Sequence, residues 1–348
     1  MHTKVSVLGH FGKGGNLLNG QTVKTKIVTE ELQKQIGNDQ VLTIDTYGRW
    51  KTLLKAPFQV FKALKSSENV LIFPAHNGLR VYAPLLSVQK KLFKNRKIHY
   101  IVIGGWLPKF LMSRKWLSKI LKRFDGIYVE TNTMKYALEN AGFTNIYVMP
   151  NCKHLDSLTL KELVYSKEEP YKLCTFSRVM KEKGIEDVID AVKKVNEQYG
   201  RAVYTLDIYG QVDDKQKEWF DQLKADFPSY VTYGGLVPFD KSVEVLKDYF
   251  ALLFPTRFYT EGIPGTIIDA YAAGIPVISA RWESFHDIVD DGVTGIGYEF
   301  ENVTELTEIL KQIADKPQMI TDLKPEALRR AADFMPSTVI GEFIKHLN

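Results

Sequence analysis

Short, largely apolar segments alternate with helix-length stretches along most of this chain, and that pattern leaves few folds open. Lys4–Leu8, Val41–Asp45, Val70–Phe73, Ile98–Ile103, Ile127–Val129 and Ile146–Met149 read as strands. Helical stretches over Thr22–Gln35, Phe58–Lys65, Val81–Phe93, Pro108–Phe124 and Thr133–Ala141 separate them. A strand that is apolar on both faces must be covered on both faces, so the pattern predicts a parallel sheet between two helix layers. Met149-Pro150-Asn151-Cys152 breaks the rhythm, and a polar stretch runs to Pro170. The alternation then restarts, with strands at Leu173–Phe176, Thr205–Tyr209, Ala251–Phe254 and Pro276–Ser279. Its helices fall at Ile185–Gln198, Gln216–Ala225, Val243–Tyr249 and Thr266–Ala273.

A chain of 348 residues has room for about two domains. The expected division is a first α/β domain over 1–150, a linker over 151–170, a second α/β domain over 171–330 and a C-terminal helix over 331–348. The fold class is α/β: two Rossmann-like, doubly wound domains. Ligands of such sheets bind beyond the carboxyl ends of the strands, so chemistry is sought on loops that follow strands.

Composition excludes several alternatives. Two cysteines make no disulfide framework and fit a reducing, cytoplasmic setting, and seven scattered histidines without a Cys-x-x-Cys pair offer no zinc-site pattern. The N-terminus lacks the apolar core of a signal peptide, and no apolar run is long enough to span a bilayer. The net charge of +5 hides an asymmetry: residues 1–150 carry +15 and residues 151–348 carry −10. A basic first half favours an anionic partner. No helix-turn-helix, RRM, KH or finger pattern points to nucleic acid.

Two segments carry most of the chemistry. In Phe254–Ser279 a strand ends at Phe254, a loop passes through Glu261-Gly262-Ile263-Pro264-Gly265, and a helix starts near Thr266 and contains Asp269. Unpaired amides at such a helix start suit a phosphate or a hydroxyl-rich ligand. Glu261 and Asp269 place two carboxylates beside it, one for a reacting sugar and one for a ribose diol. The second segment, Phe176 to Gly184, brings Arg178, a planar fork of donors, and Lys183, a mobile point charge, to a second helix start.

Together these residues resemble the donor-site signature of the family 4 glycosyltransferases, retaining enzymes of the GT-B fold. The likeness extends through Ala272-Ala273-Gly274-Ile275-Pro276-Val277-Ile278 and Asp291-Gly292-Val293-Thr294-Gly295, and more weakly over the first domain, including Met149-Pro150-Asn151. It implies two domains facing a central cleft, with the C-terminal helix packing back across the hinge. It implies that Arg178 and Lys183 hold the diphosphate of a nucleotide sugar and that Glu261 contacts the donor sugar. The backbone at Ile263, Pro264 and Gly265 would support that sugar. Asp269, aspartate where the family usually has glutamate, would bind the ribose. Gly14 and Gly15 of the first-strand glycine loop would lie over the cleft near the donor phosphates and the acceptor. Relatives often place a histidine after the fourth strand, where this chain departs with Ile103-Gly104-Gly105-Trp106; His76, after the third strand, could face the cleft on the acceptor side instead. No cofactor and no metal are implied; the nucleotide sugar is substrate, a UDP-sugar ahead of a GDP-sugar.

The first-domain charge concentrates in residues 107–124, LPKFLMSRKWLSKILKRF, with six cations and no acid. Read as one basic amphipathic helix, it places Lys109, Arg114, Lys115, Trp116, Lys119, Lys122 and Arg123 at an anionic membrane surface. The expectation is a glycosyltransferase, peripheral on the inner face of the membrane, acting on a lipid-linked glycan during surface-polysaccharide assembly. A GT-B nucleotide-sugar epimerase and a non-catalytic, membrane-associated nucleotide-sugar binder are the alternatives.

Overall fold

The computed structural model describes residues 3–12, 20–48, 54–166 and 168–347. It divides into two compact units, one running to His154 and resuming at Phe334, the other spanning Leu155–Asp333.

The first unit runs β1 (Thr3–Gly9), α1 (Gly20–Ile36), β2 (Val41–Asp45), α2 (Ala56–Ser66), β3 (Ser67–Ile72), α3 (His76–Gln89), β4 (Lys97–Ile101), α4 (Leu107–Met112), α5 (Lys115–Leu121), β5 (Gly126–Val129), α6 (Asn132–Asn140) and β6 (Ile146–Val148). Its strands form one parallel sheet in the order β2-β1-β3-β4-β5-β6. Alternation along each strand fills two cores. Val70, Ile72, Tyr100, Val102, Ile127 and Val129 pack under α2 to α6. Leu71, Phe73, Ile101 and Tyr128 face the opposite layer. Successive strand residues point to opposite faces, and both faces here are covered.

The second unit runs β7 (Tyr171–Phe176), α7 (Ile185–Tyr199), β8 (Tyr204–Tyr209), α8 (Lys217–Ala225), β9 (Val231–Gly235), α9 (Ser242–Leu246), β10 (Ala251–Phe254), α10 (Gly265–Ala272), β11 (Val277–Ala280), β12 (Gly295–Tyr298), α11 (Val303–Asp315), α12 (Gln318–Thr321) and α13 (Lys324–Arg330). Its parallel sheet has the order β12-β11-β10-β7-β8-β9. Helix α7 shows why these stretches are helical. Ile185, Val188, Ile189, Val192 and Val195 are buried along one face, Glu186 and Asp187 sit in the first turn, and Gly200 at φ 66° ends it. Acids at the start suit the helix dipole, and a left-handed glycine terminates the helix without a Cβ penalty.

After the second unit the chain returns to the first as α14 (Pro336–Lys345). Val339, Ile340, Phe343 and Leu347 complete the core that Val5, Val7, Leu32 and Tyr128 begin. Asn69 Nδ2 donates to the Leu347 carbonyl at 3.2 Å, so a buried polar group also holds this end of the chain.

The structure corrects the reading of residues 107–124. They form two short helices, α4 and α5, separated at Ser113-Arg114, where Arg114 leaves helical geometry with φ −130° and ψ 58°. Leu107, Phe110, Leu111, Leu117, Leu121 and Phe124 belong to the core, so no continuous apolar stripe is free. Met112, 80% exposed, and Trp116, 49% exposed, remain outside with the lysines.

Candidate functional site

In the second sheet the chain builds β7, β8 and β9 outward in one direction and then places β10 on the other side of β7. That reversal opens a crevice beyond the carboxyl ends of β7 and β10, the usual ligand position in an open α/β sheet. The loop after β7 carries Arg178 and Lys183. The loop after β10 carries Glu261. The structure brings the latter two together: Lys183 Nζ donates to Glu261 Oε2 at 2.8 Å, with side chains 14% and 21% exposed. Thr256 Oγ1 also donates to Glu261 Oε2, at 3.1 Å. The lysine ammonium lies 5.3 Å and 5.1 Å from the ring centres of Phe254 and Phe258, within cation–π range.

Close backbone approach makes this pairing possible. Gly184 has φ 67°, and a Cβ there would run into the Pro255 carbonyl of the other loop. Only glycine fits both the angle and the contact. Arg257 then fastens the two loops. Its Nε and Nη2 donate to Asp187 at 3.0 Å and 2.6 Å, a fork-to-carboxylate bond, and its amide donates to the Glu182 carbonyl at 2.9 Å. The lysine and the glutamate are therefore held on tied loops.

The other expected residues are placed less uniformly. Arg178 follows β7 but is 56% exposed, with Asp213 Oδ2 3.4 Å from its Nη1. Ile263 and Pro264 are buried and Gly265 opens α10. Asp269 is 3% exposed, one turn into α10, where its Oδ1 accepts from Ser242 Oγ at 2.9 Å. Gly14 and Gly15 lie outside the described residues. His76 opens α3 in the first unit. Its pKa is lowered, first by burial and then by Arg80 and Arg114. Lys109, Lys115, Lys119, Lys122 and Arg123 are exposed; Arg114 is partly buried against Phe110.

Sequence reasoning missed Thr256, Arg257, Asp187, Asp213 and Ser242. Asp187 and Arg257 are separated by 70 residues, and nothing local marks either as a partner of the other. No group of three or more His, Cys, Asp and Glu side chains suited to a metal ion occurs among the described residues. What the crevice does offer is a cation for an anionic ligand and a carboxylate for hydroxyl groups.

Two doubly wound parallel sheets joined in this order define the GT-B fold. Comparison with known proteins agrees. Residues 170–316 match the family model described as glycosyl transferases group 1. A protein of Klebsiella pneumoniae described as an uncharacterized 41.2 kDa protein in the cps region is 22% identical, over 85% of this chain and 84% of its own length. The amylovoran biosynthesis glycosyltransferase AmsK of Erwinia amylovora is 24% identical over 36% of this chain and 32% of its own. Among solved structures, Anabaena HepE in complex with UDP and glucose superposes with a TM-score of 0.72 at 15% identity, over 99% of each chain. The lipopolysaccharide outer core galactosyltransferase WaaB, in its apo form, superposes with a TM-score of 0.73 at 15% identity, also over 99% of each chain.

Proposed function

We propose that this chain is a retaining glycosyltransferase of the family 4 type. It transfers a hexosyl or related sugar from a nucleotide-sugar donor, a UDP-sugar ahead of a GDP-sugar, to a hydroxyl of a lipid-linked glycan in surface-polysaccharide assembly. The observation that carries this reading is the Lys183–Glu261 pair at the crevice of the second sheet. The group 1 match over 170–316 and the polysaccharide setting of the relatives support it.

In this reading the donor diphosphate takes Lys183 from Glu261. The ammonium and Arg178 stabilise the negative charge that grows on the departing diphosphate. Glu261, released, accepts hydrogen bonds from the donor sugar, which rests on the backbone at Ile263, Pro264 and Gly265. Asp269 binds the ribose after exchanging its bond with Ser242. The acceptor hydroxyl attacks the anomeric carbon from the side the diphosphate leaves, through an oxocarbenium-like transition state, with retention. Charge stabilisation by preorganised cations is the largest contribution, and losing one such group costs about 2–4 kcal/mol. His76 and the loop with Gly14 and Gly15 serve the acceptor side. Lys115, Trp116, Lys119, Lys122 and Arg123 rest on the anionic inner leaflet, with the exposed Met112 and Trp116 entering the headgroup layer.

The test is an incubation with radiolabelled nucleotide sugars, with and without a lipid-linked glycan, followed by NMR of the product's anomeric configuration. Transfer only when acceptor is present, with the donor's configuration kept, is the expected result. Conversion of the donor without acceptor supports the epimerase instead. Nucleotide binding with neither reaction supports a non-catalytic binder.

A further inference from the structure

The first sheet has its own reversal of strand order, between β1 and β3, and the loops after β3 and β4 bring a compact cluster to its carboxyl edge. The His76 and Trp106 rings lie 3.9 Å apart, tilted by 31°. Phe110 stands edge-on to both, at 5.0 Å and 5.1 Å. Trp106 Nε1 donates to the Ile103 carbonyl at 2.8 Å, which fixes the indole. Phe110 is buried, so the platform is part of the core's surface.

Two guanidinium groups share that platform. The Arg114 Cζ lies 4.0 Å from the Phe110 ring centre and the Arg80 Cζ 5.3 Å. Arg114 uses Nη1 toward the Phe110 carbonyl and Ser113 Oγ, both at 2.8 Å. Arg80 Nη1 reaches Asn77 Oδ1 at 3.4 Å. Neither pairs with a carboxylate among the described residues. In the second unit, by contrast, Arg178, Arg201, Arg257, Arg281, Arg329 and Arg330 each have an acidic partner. Arg80 and Arg114 also lie within electrostatic reach of His76, whose pKa is lowered first by burial and then by their charges.

We propose that Arg80 and Arg114, with Trp106 and His76 as the apolar wall, form a binding site for a doubly charged phosphate group, and that this group belongs to the acceptor. Two planar forks suit phosphate oxygens, and a phosphate monoester or diphosphate with close to two negative charges cancels both cations where one carboxylate cancels half. The acceptor clause rests on the glycosyltransferase reading; the anion site does not.

The test follows the Trp106 indole NMR signal, assigned with Trp106→Phe, during titration with inorganic pyrophosphate, inorganic phosphate and a short prenyl diphosphate. Wild type is compared with Lys183→Ala, which removes anion binding at the second-unit site. The expected result is a pyrophosphate-dependent shift of equal affinity in both proteins. Arg80→Gln, at an exposed position that leaves folding intact, weakens it about tenfold, and Arg80→Gln with Arg114→Gln weakens it further. A signal unmoved by all three probes, or equal affinity in the double variant, overturns the site. Tighter binding of the prenyl diphosphate than of pyrophosphate assigns the anion to a lipid carrier, and equal binding overturns the acceptor clause. A Trp106 response in a protein that binds no nucleoside diphosphate keeps the site and removes its acceptor role.

Discussion

Lys183 and Glu261 are legible in the sequence because both sit in short glycine-containing motifs just before a helix, and Gly184, beside Lys183, is a glycine the backbone needs. Gly184 caps the start of α7 and Gly265 opens α10, so each charge precedes a helix start. Their supports are not legible, because Asp187–Arg257 and Thr256–Glu261 depend on how two distant loops meet. Two predictions belong here. Glu261→Gln keeps the hydrogen-bonding shape but loses the charge, so transfer falls about a hundredfold while nucleotide affinity changes little, read from kcat and Kd side by side. Asp269→Ala separates two roles for a buried carboxylate bonded to Ser242. Loss of the Ser242 bond lowers the melting temperature in either case; a ribose partner shows as weaker nucleotide binding besides, and a purely structural tie as unchanged nucleotide affinity.

At the scale of elements, every strand of the first sheet is readable, its edges β2 and β6 included, and so are the interior strands of the second; the two edges of the second sheet are not. Strands β9 (VTYGG) and β12 (GIGY) escape detection because edge strands with glycine and polar residues lack a continuous apolar run. The break at Ser113-Arg114 escapes because the apolar spacing through it still fits a helix. Helix α14 is anchored beside His99, which is buried between Asn69 (Oδ1 at 3.0 Å from Nε2) and Tyr128 (OH at 3.2 Å from Nδ1). Burial lowers the His99 pKa to about 4, against an ordinary 6.5. A histidine with a lower pKa folded than unfolded takes up protons on unfolding, so its contribution to stability is complete above pH 6.5 and is lost as pH falls toward 4. About 2 kcal/mol of unfolding free energy should disappear between pH 7 and pH 5. Urea denaturation at both values, with His99→Gln as reference, checks this: the variant should show a shallower pH dependence. The surface of α5 makes a separate claim. Replacing Lys115 and Lys119 by glutamine should weaken co-sedimentation with anionic vesicles while leaving the melting temperature unchanged, since both cations are exposed.

At the scale of the whole molecule, each sheet carries its own apolar cores. The chain crosses between the units twice, the second time so that α14 can complete the first core. Deleting residues 334–348 should therefore uncover Val5, Val7 and Leu32 and make the first unit the first target in limited proteolysis. The alternation of strand and helix announces two α/β units. It does not announce where the final helix docks, because an amphipathic helix near a terminus fits more than one apolar face. The central claim is that the crevice of the second sheet binds a nucleoside diphosphate through Lys183. The measurement that tests it most directly is a thermal-shift panel with UDP, GDP, ADP and TDP on wild type and Lys183→Ala. At about 100 times its dissociation constant, a specific ligand stabilises the native state by about 2.7 kcal/mol. The account predicts a shift with one nucleotide, UDP first, that is lost in the folded variant. No shift with any of the four, or an equal shift in Lys183→Ala, would contradict it.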